Sequence, residues 1–298
     1  EDKYWIELAV GDESENIQLQ KIEDKGIKTH RFRNLVNPIS PFKDFQALLE
    51  IYHYLKSGSY DIVHTHQTKA GILGRIAAKL AGIPVIIYGV HGSTFSGIKQ
   101  PLRSLLLILE KLTGRFTDRF VSVGKDLRDR FLEQGIGSEE RFRIVRSGMD
   151  LEPFFKADDI EKEVRNKKRQ EIGVKKGELA VGMVASLESR KGHEYALEAA
   201  NQLCSYRNNL KFIFIGDGER RDELERMVIK QELEENVVFT GYRQDIAEVM
   251  GALDLFILTS LREGLPQVLI QAAAVGLPIV TFNVEGACEV VKEDVNGH

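Results

Sequence analysis

Leu255-Phe-Ile-Leu-Thr-Ser-Leu-Arg-Glu-Gly-Leu-Pro266 is the stretch of this 298-residue chain that best defines its fold. Its apolar start is typical of a buried strand. Its end places a proline where a helix can begin, because the first helical position needs no N–H. The helix is predicted to run to Gly276, with Pro278 just beyond it. A strand that passes through a short loop into a helix is the repeating unit of parallel α/β sheets.

The same step recurs along the whole chain. In the first half, short apolar runs predict strands at Tyr4–Val10, Ile27–Phe32, Asp61–His64, Val85–Tyr88, Phe120–Val123 and Phe142–Val145. In the second half they predict strands at Leu179–Ala185, Leu210–Ile215, Val237–Thr240, Asp254–Thr259 and Pro278–Phe282. Helices between the strands predict an α/β fold of two doubly wound, Rossmann-like domains that face a cleft. Their predicted bounds are residues 1–150 and 151–298, with a hinge near Ser147–Phe155.

The helical segments carry their own signals. The segment after Pro41 repeats apolar residues every three or four positions, and is predicted to bury Phe42, Phe45, Leu48, Leu49, Tyr52 and Leu55. The next helix is predicted to end at Gly82. Asp158–Gly177 is dense in charge and is predicted to be a solvated helix or linker. Pro101–Leu112 is interpreted as an ordinary core helix, with the alternative that its apolar residues line an acceptor groove.

Composition excludes several classes of protein. The 41 Lys and Arg residues against 45 Asp and Glu give a formal charge of −4, without the basic excess that neutralises nucleic-acid phosphates. The two cysteines, Cys204 and Cys288, make no disulfide framework and no zinc spacing. The longest apolar run, Leu105–Leu109, is far shorter than the ~20 residues that span a bilayer. We therefore predict a soluble, cytoplasmic protein that binds no nucleic acid.

The strand-to-helix loops are the candidate site, because ligands of open α/β sheets bind at the carboxyl ends of the strands. In the loop quoted above, Gly264 allows close backbone approach, and the N–H groups that open the helix suit a phosphate or diphosphate. Glu263 lies just outside and can accept hydrogen bonds from sugar hydroxyls. The alternative is that Glu263 only caps the helix and that nothing binds there.

Two further loops follow strands of the second half. After Leu179–Ala185, Arg190 and Lys191 are predicted to face the same anion, unless they form only a surface charge pair. Gly216-Asp-Gly218 is similar to the start of a dinucleotide-binding loop, but Arg221 occupies the position of the third glycine. A nicotinamide cofactor is therefore not predicted.

Three histidines lie at predicted strand ends in the first half. His64 and His66 alternate along one strand and so point to the same face, and His91 lies between Gly89 and Gly92. Together they suggest three metal ligands, but no Cys, Asp or Glu shares these loops. No metal site is predicted, and His91 is the histidine expected to meet a substrate.

Taken in order, these motifs resemble the retaining glycosyltransferases of family 4, which have the GT-B fold. The matching strings are Asp61-Ile-Val-His-Thr-His-Gln-Thr-Lys-Ala-Gly-Ile-Leu-Gly74, His91-Gly92, Val121-Ser-Val123, Ser147-Gly-Met-Asp150, Arg190-Lys-Gly192, Gly216-Asp-Gly218, Thr240-Gly241 and Glu263-Gly-Leu-Pro266. The first-half strings look most like bacterial enzymes that build surface polysaccharides on a lipid carrier. The resemblance implies transfer of a sugar from a nucleotide diphosphate sugar, UDP-linked, with retention of anomeric configuration and without a metal or another cofactor.

The resemblance also implies partners and residue roles. A nucleotide-sugar donor would bind the second domain, and a glycan or lipid-linked acceptor would bind the first, with peripheral contact to the inner face of the cell membrane. Glu263 would hold donor-sugar hydroxyls, Lys191 would meet the diphosphate and His91 would lie beside the reacting sugar; these three are the catalytic candidates. The donor-binding candidates are Ser186, Arg190, Lys191, Thr240, Gly241, Tyr242, Gly264, Leu265, Pro266, Gln267, Val268 and Gln271.

Two positions depart from the family's pattern. Gln271 replaces an acidic residue eight positions after Glu263, and an amide binds ribose hydroxyls less strongly than a carboxylate does. Ser186 replaces an arginine, and Arg190 is the hypothesised source of the missing diphosphate cation. Compared with the family, the chain is also expected to lack its first strand and helix and its final helices.

Two other functions remain open from the sequence. The same departures are compatible with a nucleotide-sugar-binding module that has lost catalysis. The histidines leave a metal-dependent hydrolase as a third reading. A retaining glycosidase is disfavoured, because the pair of carboxylates that such an enzyme needs is not evident in the motif loops.

Overall fold

The computed structural model describes residues 4–12, 16–93, 95, 98–158 and 161–298. These residues form two compact units. The first contains the described residues up to Val123 together with Leu127–Val145, and the second contains Gly124–Asp126 and Arg146–His298. Every ladder between the strands of either unit is parallel. The predicted α/β class is therefore confirmed.

The first unit has two sheets, one of β1 and β2 and one in the order β3-β4-β5-β6. Its strands are β1 (Glu7–Gly11), β2 (Lys28–Phe32), β3 (Ile62–His66), β4 (Val85–Val90), β5 (Arg119–Ser122) and β6 (Phe142–Ile144). Its helices are α1 (Asn16–Glu23), α2 (Pro41–Ser57), α3 (Thr68–Ala81), α4 (Leu102–Arg115) and α5 (Lys125–Glu133). Helix α3 ends at Gly82, which has a left-handed backbone with φ 81°, as predicted.

The second unit has one sheet in the order β11-β10-β7-β8-β9. Its strands are β7 (Leu179–Val184), β8 (Leu210–Ile215), β9 (Val237–Gly241), β10 (Leu255–Leu258) and β11 (Ile279–Thr281). Its helices are α6 (Glu152–Asp158), α7 (Lys162–Glu171), α8 (His193–Cys204), α9 (Arg221–Lys230), α10 (Ile246–Gly251), α11 (Gln267–Ala274) and α12 (Ala287–Val290). Because β7 and β10 are neighbours, the loops that follow them meet at the same edge of the sheet.

All eleven predicted strands are present, with ends that differ from the prediction by at most three residues. The largest difference is at β1, which pairs from Glu7 with Lys28 of β2. Tyr4, Trp5 and Ile6 precede this ladder and are exposed. An apolar run does not show where its partner strand starts, and the predicted strand therefore began too early.

Helix α2 begins at Pro41 as predicted, but its buried face is only partly the predicted one. Leu48 and Tyr52 of the predicted face are partly buried against the core. Ala47, Ile51 and Leu55 are buried, whereas Phe42, Phe45 and Leu49 of the predicted core face are exposed. Helix α2 packs against α3. At this contact Ile51 and Leu55 share one buried cluster with Ala77 and Ala78 of α3, whose small side chains let the two helices approach closely.

The predicted solvated segment at Asp158–Gly177 contains α7, which is a mostly exposed helix as expected but buries the charged residue Arg169. Arg165 and Arg169 both bind the Asp254 carboxylate, at 2.7 and 2.9 Å, and Arg169 is buried. Asp254 also accepts a hydrogen bond from the Ala180 N–H at 2.7 Å. These contacts attach α7 to the ends of β7 and β10, because buried charges are stable only when they are paired and hydrogen-bonded.

Helix α4 is also not an ordinary core helix. It buries Leu106, Glu110 and Thr113 but exposes Leu105, Ile108 and Leu112. Such a helix has one face in the core and an apolar stripe outside it. In the described part of the chain, none of the helices combines the length and the apolar character needed to cross a membrane.

Candidate active site

Lys191 and Glu263 lie in the loops that follow β7 and β10, and they form an ion pair. Lys191 Nζ lies 2.6 Å from Glu263 Oε1, and the two side chains are only 14% and 10% exposed. The two residues come from different strand-to-helix loops, which the sheet order brings together. The structure thus joins the two residues that the sequence predicted to hold the diphosphate and the sugar hydroxyls.

Glycine at position 192 allows this close approach. Gly192 has φ 65°, and a Cβ there would lie 2.2 Å from the carbonyl oxygen of Thr259. The Thr259 hydroxyl donates to the Gly192 carbonyl at 2.8 Å, and the Leu261 N–H donates to the Arg190 carbonyl at 2.8 Å. Backbone contacts therefore fix the two loops to each other before any ligand is bound.

The start of α11 is available to an anion. The sequence predicted Pro266 as the first helical residue. The helix begins one residue later, at Gln267, and Pro266 is its N-cap. No side chain caps this end, and the first turn holds no acidic residue. A helix start leaves N–H groups without intrahelical partners, and together with the helix dipole they favour a negative charge. Gly264, Leu265 and Pro266 are buried at this position.

Arg190 pairs with a different carboxylate from the one that binds Lys191. Its Nε lies 2.7 Å from Glu188 Oε2, and both side chains are well exposed. Burial alone would raise the pKa of Glu188, but the Ser186 hydroxyl and the Arg190 guanidinium bind its carboxylate and lower the pKa overall. Ser186 and Arg190 therefore belong to one small cluster beside the candidate anion site.

Gly216 and Gly218 have a packing role in this structure. A Cβ on Gly216 would lie 2.0 Å from the Ala185 carbonyl oxygen, and one on Gly218 would lie 2.7 Å from the Leu187 carbonyl oxygen. The Leu187 N–H donates to the Asp217 carbonyl at 3.0 Å. The glycine-containing loop after β8 thus supports the loop that carries Lys191.

The remaining predicted donor residues lie on β9, directly after it, and on α11. Gly241, with φ 72°, has open space on the side where a Cβ would project, and the Tyr242 ring is 79% exposed. The Thr240 hydroxyl donates to the Gly241 carbonyl at 3.1 Å. On α11, Gln267 and Gln271 are one helical turn apart and so share a face, with Val268 next to Gln267. The exposed ring of Tyr242, the exposed amide of Gln267 and the half-buried amide of Gln271 are suitable partners for a base and a ribose.

In the first unit, the three histidines form a cluster. His66 Nδ1 lies 2.7 Å from His91 Nε2, and the rings of His64 and His66 have centroids 4.2 Å apart. A Cβ on Gly89 would lie 2.5 Å from His66 Nδ1, so glycine at this strand position makes room for the cluster. The predicted common face of His64 and His66 is therefore observed.

The imidazoles of this cluster resist protonation. Burial lowers the pKa of His66 to about 4, with the neighbouring His64 and His91 as further causes, and burial also lowers the pKa of His64 and His91. Among the described residues, no three or more His, Cys, Asp or Glu side chains are arranged to hold a metal ion. The short contact between His66 and His91 is a hydrogen bond between two rings, in which one nitrogen donates and the other accepts.

Two buried polar groups near Lys191 were missed by the sequence analysis. His193 is 1% exposed and Ser260 is fully buried, and within the described part of the chain neither ring nitrogen of His193 nor the Ser260 hydroxyl has a hydrogen-bond partner. The His193 ring packs edge-on against Phe214, with ring centroids 5.5 Å apart. Burial lowers the pKa of His193 to about 4. Nothing in the local sequence distinguishes this histidine from an exposed one.

Stability is expected to fall in mild acid because of His193. An unfolded histidine has a pKa near 6.5, so the unfolded chain binds a proton more readily than the native one as the pH falls. The contribution of neutral His193 to the free energy of unfolding is fully present above about pH 6.5 and is lost toward pH 4. About 2 kcal/mol of it is lost between pH 7 and pH 5. Urea unfolding of the protein and of His193→Leu at both pH values measures this difference.

The His193→Leu protein should lose correspondingly less stability between pH 7 and pH 5. At pH 7.5, where His193 is neutral, the substitution should change the free energy of unfolding little, because it replaces a buried polar ring that has no partner with an apolar side chain. Identical pH dependence in the two proteins would contradict the explanation.

Two Rossmann-like units with a candidate anion site at the strand-to-helix loops define the GT-B class of glycosyltransferases. The model of the family described as "Glycosyl transferases group 1" matches residues 164–298, and that of the "Glycosyl transferase 4-like domain" matches residues 8–148. The chain belongs to the group 1 glycosyl transferases, as the sequence motifs predicted.

Curated relatives support this membership. The UDP-Gal:alpha-D-GlcNAc-diphosphoundecaprenol alpha-1,3-galactosyltransferase of Escherichia coli is 33% identical over 282 residues, which cover 92% of this chain and 71% of the relative. The N,N'-diacetylbacillosaminyl-diphospho-undecaprenol alpha-1,3-N-acetylgalactosaminyltransferase of Campylobacter jejuni is 28% identical, with 93% of this chain and 73% of the relative covered. The chain thus spans about seven tenths of the length of these two relatives.

Solved structures support the fold. HepE from Anabaena in complex with UDP-glucose aligns with a TM-score of 0.78 at 25% identity, over 97% of this chain and 76% of that protein. Sucrose-phosphate synthase from Thermosynechococcus elongatus aligns with a TM-score of 0.74 at 19% identity, over 92% of this chain and 70% of that protein. The two Rossmann-like domains predicted from the sequence are confirmed.

Proposed function

We propose that the protein is a retaining glycosyltransferase that moves a hexose-type sugar from a UDP-linked donor to a lipid-linked glycan acceptor in surface polysaccharide synthesis. The observation that carries the proposal is the Lys191–Glu263 pair beside the uncapped start of α11. A cation and backbone N–H groups next to a carboxylate suit a ligand with a diphosphate at one end and sugar hydroxyls at the other.

The names of the relatives support the donor and acceptor classes. The E. coli relative is named for a UDP-sugar and a diphosphoundecaprenol acceptor, and the C. jejuni relative for a diphospho-undecaprenol acceptor. HepE has been solved with UDP-glucose. A protein of this family that uses the same chemistry would act in the cytoplasm at the inner face of the membrane, where its donor and its lipid-linked acceptor meet.

The leaving diphosphate is the proposed centre of catalysis. Cleavage of the anomeric bond leaves negative charge on the diphosphate and positive charge on the sugar. Lys191 and the backbone N–H groups around Leu265–Val268 stabilise the departing charge, and one such fixed donor typically lowers the barrier by about 3 kcal/mol. Lys191 has three N–H donors, so it can keep Glu263 while it binds a phosphate oxygen.

The remaining groups position the donor. Glu263 accepts hydrogen bonds from sugar hydroxyls, Tyr242 stacks on the base beside Thr240 and Gly241, and Gln271 binds the ribose. The assignment of donor binding to residues 151–298 and of acceptor binding to residues 1–150 is part of the same proposal. The acceptor hydroxyl attacks on the face that the diphosphate leaves, and its proton passes to a leaving phosphate oxygen.

His91 is proposed to contact the reacting sugar or the acceptor. Its hydrogen bond to His66 fixes the ring orientation, and its lowered pKa keeps the ring neutral near pH 7. A neutral imidazole can donate through one nitrogen and accept through the other, so His91 can bind a hydroxyl without placing a positive charge beside the developing oxocarbenium ion.

A panel of ligands tests the donor class. Thermal shift with UDP, UDP-sugars, ADP and GDP should show stabilisation by the uridine compounds, since a ligand stabilises only the state that binds it. Transfer from a UDP-sugar to a diphosphate-linked lipid glycan, followed by NMR of the new anomeric centre, tests the reaction and its retention. A preference for another base, or an inverted product, would contradict the corresponding part of the proposal.

Arg190 is expected to supply a second diphosphate cation. Arg190→Ala should weaken UDP binding by about tenfold to a hundredfold, because a charge-assisted hydrogen bond contributes about 1.5–3 kcal/mol. Isothermal titration calorimetry measures this change. The partner variant Glu188→Gln should strengthen UDP binding, because it releases Arg190 from the carboxylate that binds it.

This pair of variants separates ligand binding from a local structural role. A purely structural Arg190–Glu188 contact would make both substitutions act in the same direction on the thermal midpoint, without a change in UDP affinity. An unchanged affinity in Arg190→Ala would remove Arg190 from the donor site.

A binding module without catalysis is the second candidate function. It is favoured by Gln271, which replaces a carboxylate, and by the engagement of Arg190 with Glu188. Such a module would bind UDP-sugars but would neither transfer nor hydrolyse them. Single-turnover assays with several UDP-sugars and diphosphate-linked acceptors distinguish the two functions, because an enzyme releases UDP and a module does not.

A further inference from the structure

We propose that the side chain of Gln67 binds a hydroxyl group of the acceptor and contributes to the choice of acceptor. Gln67 is the single residue between β3, which ends at His66, and α3, which begins at Thr68. Its backbone angles are φ 64° and ψ 172°. This inference rests on the proposed function, because it assigns a residue of the first unit to the acceptor of that reaction.

The backbone of Gln67 is strained. The combination of a φ of 64° with a ψ of 172° belongs almost entirely to glycine, because a Cβ crowds the neighbouring peptide groups there. In the described part of the chain, the other non-glycine residues with a positive φ are Glu232 and Asp294. A glycine would adopt the angles of Gln67 without a clash. Since such strain is concentrated at active sites and ligand-binding residues, a glutamine at this position indicates a use for its side chain.

The structure around Gln67 holds this conformation in place. Helix α3 lies close to the sheet, since a Cβ on Gly71 would lie 2.6 Å from the Tyr88 ring and one on Gly74 would lie 2.7 Å from the Thr65 side chain. The Gln67 carbonyl accepts hydrogen bonds from the Gly71 N–H at 3.0 Å and from the buried Tyr88 hydroxyl at 3.4 Å. The chain therefore turns from strand to helix within one residue, at Gln67.

The side-chain amide of Gln67 is available to a ligand. Gln67 is exposed, and its amide has no hydrogen-bond partner among the residues that the structure describes. It lies at the carboxyl end of β3, where ligands of open α/β sheets bind. The preceding residue, His66, contacts His91 at 2.7 Å. Gln67 is thus next in the chain to the histidine that holds His91, which is proposed to contact the reacting sugar or the acceptor.

The chemistry of an amide suits a sugar hydroxyl. The amide oxygen accepts a hydrogen bond and the NH2 group donates, so the Gln67 side chain can serve either role of a hydroxyl group. A strained strand-to-helix turn also presents the nucleophilic serine of α/β-hydrolases at the carboxyl end of their sheet. A site that hydrogen-bonds a hydroxyl rejects analogues without it, because its own polar group is then left unpaired. Gln67 should therefore favour acceptors that carry this hydroxyl.

Three variants of the 298-residue protein separate the amide from the backbone strain. Gln67→Ala removes the amide and keeps the strain, Gln67→Gly removes both, and Gln67→Asn keeps an amide on a residue type that tolerates positive φ. The probe is N-acetylglucosamine diphosphate joined to a short alkyl chain, and isothermal titration calorimetry measures its affinity with and without UDP. Gln67→Ala and Gln67→Gly should both bind the probe about tenfold more weakly, the loss expected for one or two neutral hydrogen bonds. Gln67→Asn should retain part of the affinity.

The thermal midpoint separates ligand binding from stability. Gln67→Gly should raise the midpoint by about 2–4 °C, because relief of the strain outweighs the added freedom of glycine in the unfolded chain. The same variant should thus be more stable and bind the probe less well. Glu232, with φ 56°, follows α9 in the second unit and provides the matched control. Glu232→Gly makes a similar backbone change and should leave the affinity for the probe unchanged.

The outcomes distinguish the role of Gln67 from the proposed donor. Unchanged probe affinity in Gln67→Ala would overturn the inference, and so would a probe that the unmodified protein does not bind. Weaker binding together with a shifted NMR titration of His66 or His91 would assign the effect to the two histidines and overturn it as well. UDP affinity should be equal in all variants. An unmodified protein that does not bind UDP would contradict the proposed function, while probe affinity measured without UDP would still decide the role of Gln67.

Discussion

Replacement of Lys191 by alanine is expected to lower the rate of sugar transfer by about two to three orders of magnitude. Lys191 is the cation closest to the Glu263 carboxylate at the candidate site, with Nζ 2.6 Å from Oε1. The loss of a single fixed donor to a developing anion typically costs this much in rate. Steady-state transfer from a UDP-sugar, combined with the affinity for UDP itself, measures the effect.

The two members of the pair should affect different parts of the donor. Lys191→Ala should weaken the binding of both UDP and the UDP-sugar, because both carry the diphosphate. Glu263→Gln should weaken the binding of the UDP-sugar while it leaves the affinity for UDP close to that of the unmodified protein. A carboxylate accepts hydrogen bonds about twice as strong as those of a neutral amide, so the effect should be concentrated on the sugar hydroxyls.

The double variant Lys191→Met/Glu263→Gln controls for lost stability. Each single change leaves a partly buried charge without its partner, and the double change removes both charges. Its thermal midpoint should therefore lie above that of Lys191→Ala, while its transfer rate should be no higher. UDP affinity that is unchanged in Lys191→Ala would contradict the assignment of Lys191 to the diphosphate.

Replacement of Glu110 by glutamine is expected to destabilise the first unit by about 3–5 kcal/mol. Arg75 and Glu110 are both fully buried, with Arg75 Nη2 2.7 Å from Glu110 Oε2. Arg75 also donates to the Gly71 carbonyl at 2.8 Å, and its guanidinium lies 3.8 Å from the centre of the Tyr88 ring. Without Glu110, the buried guanidinium would keep its charge and lose its carboxylate. Urea unfolding followed by circular dichroism measures the loss.

Two comparisons show whether burial is the cause. Arg75→Met/Glu110→Leu should cost much less than Glu110→Gln, because apolar residues of similar volume need no buried counter-charge. Glu152→Gln removes the carboxylate of an exposed pair with Lys156 and should cost less than about 1 kcal/mol. Similar losses in Glu110→Gln and in the double variant would show that packing volume, and not charge, is decisive.

Much of the candidate site could be predicted from the sequence, since each motif lies at the end of a strand. Glycine and proline near Glu263 marked the start of a helix, and the spacing of His64 and His66 placed both rings on one face. These features depend on a few adjacent residues. The prediction of buried faces was less accurate, because the buried face of a helix depends on the elements that pack against it. In α2 the buried face is centred on Ala47 and Ile51.

The contacts that involve charges could not be predicted in the same way. Arg169 lies in a segment rich in lysine and arginine, and it is buried because it contacts Asp254, 85 residues away, and the carbonyl groups of Ala252 and Glu178. Arg190 was expected to face an anion, and in the structure it binds the carboxylate of Glu188. The Glu188 carboxylate, two residues away, competes with the expected diphosphate for the Arg190 guanidinium. The sequence alone does not show which of the two binds it.

The sequence by itself determined the alternation of strands and helices, the ends of α3 and the residue types of the motif loops, because hydrophobic periodicity and backbone preference act over a few neighbouring residues. Only the tertiary structure decided that β7 lies beside β10, and hence that Lys191 meets Glu263 across 72 residues of chain. It alone also decided which apolar faces of α2 and α4 stay exposed. Strand order and helix packing depend on the burial of the whole chain at once, and no local stretch of residues specifies them.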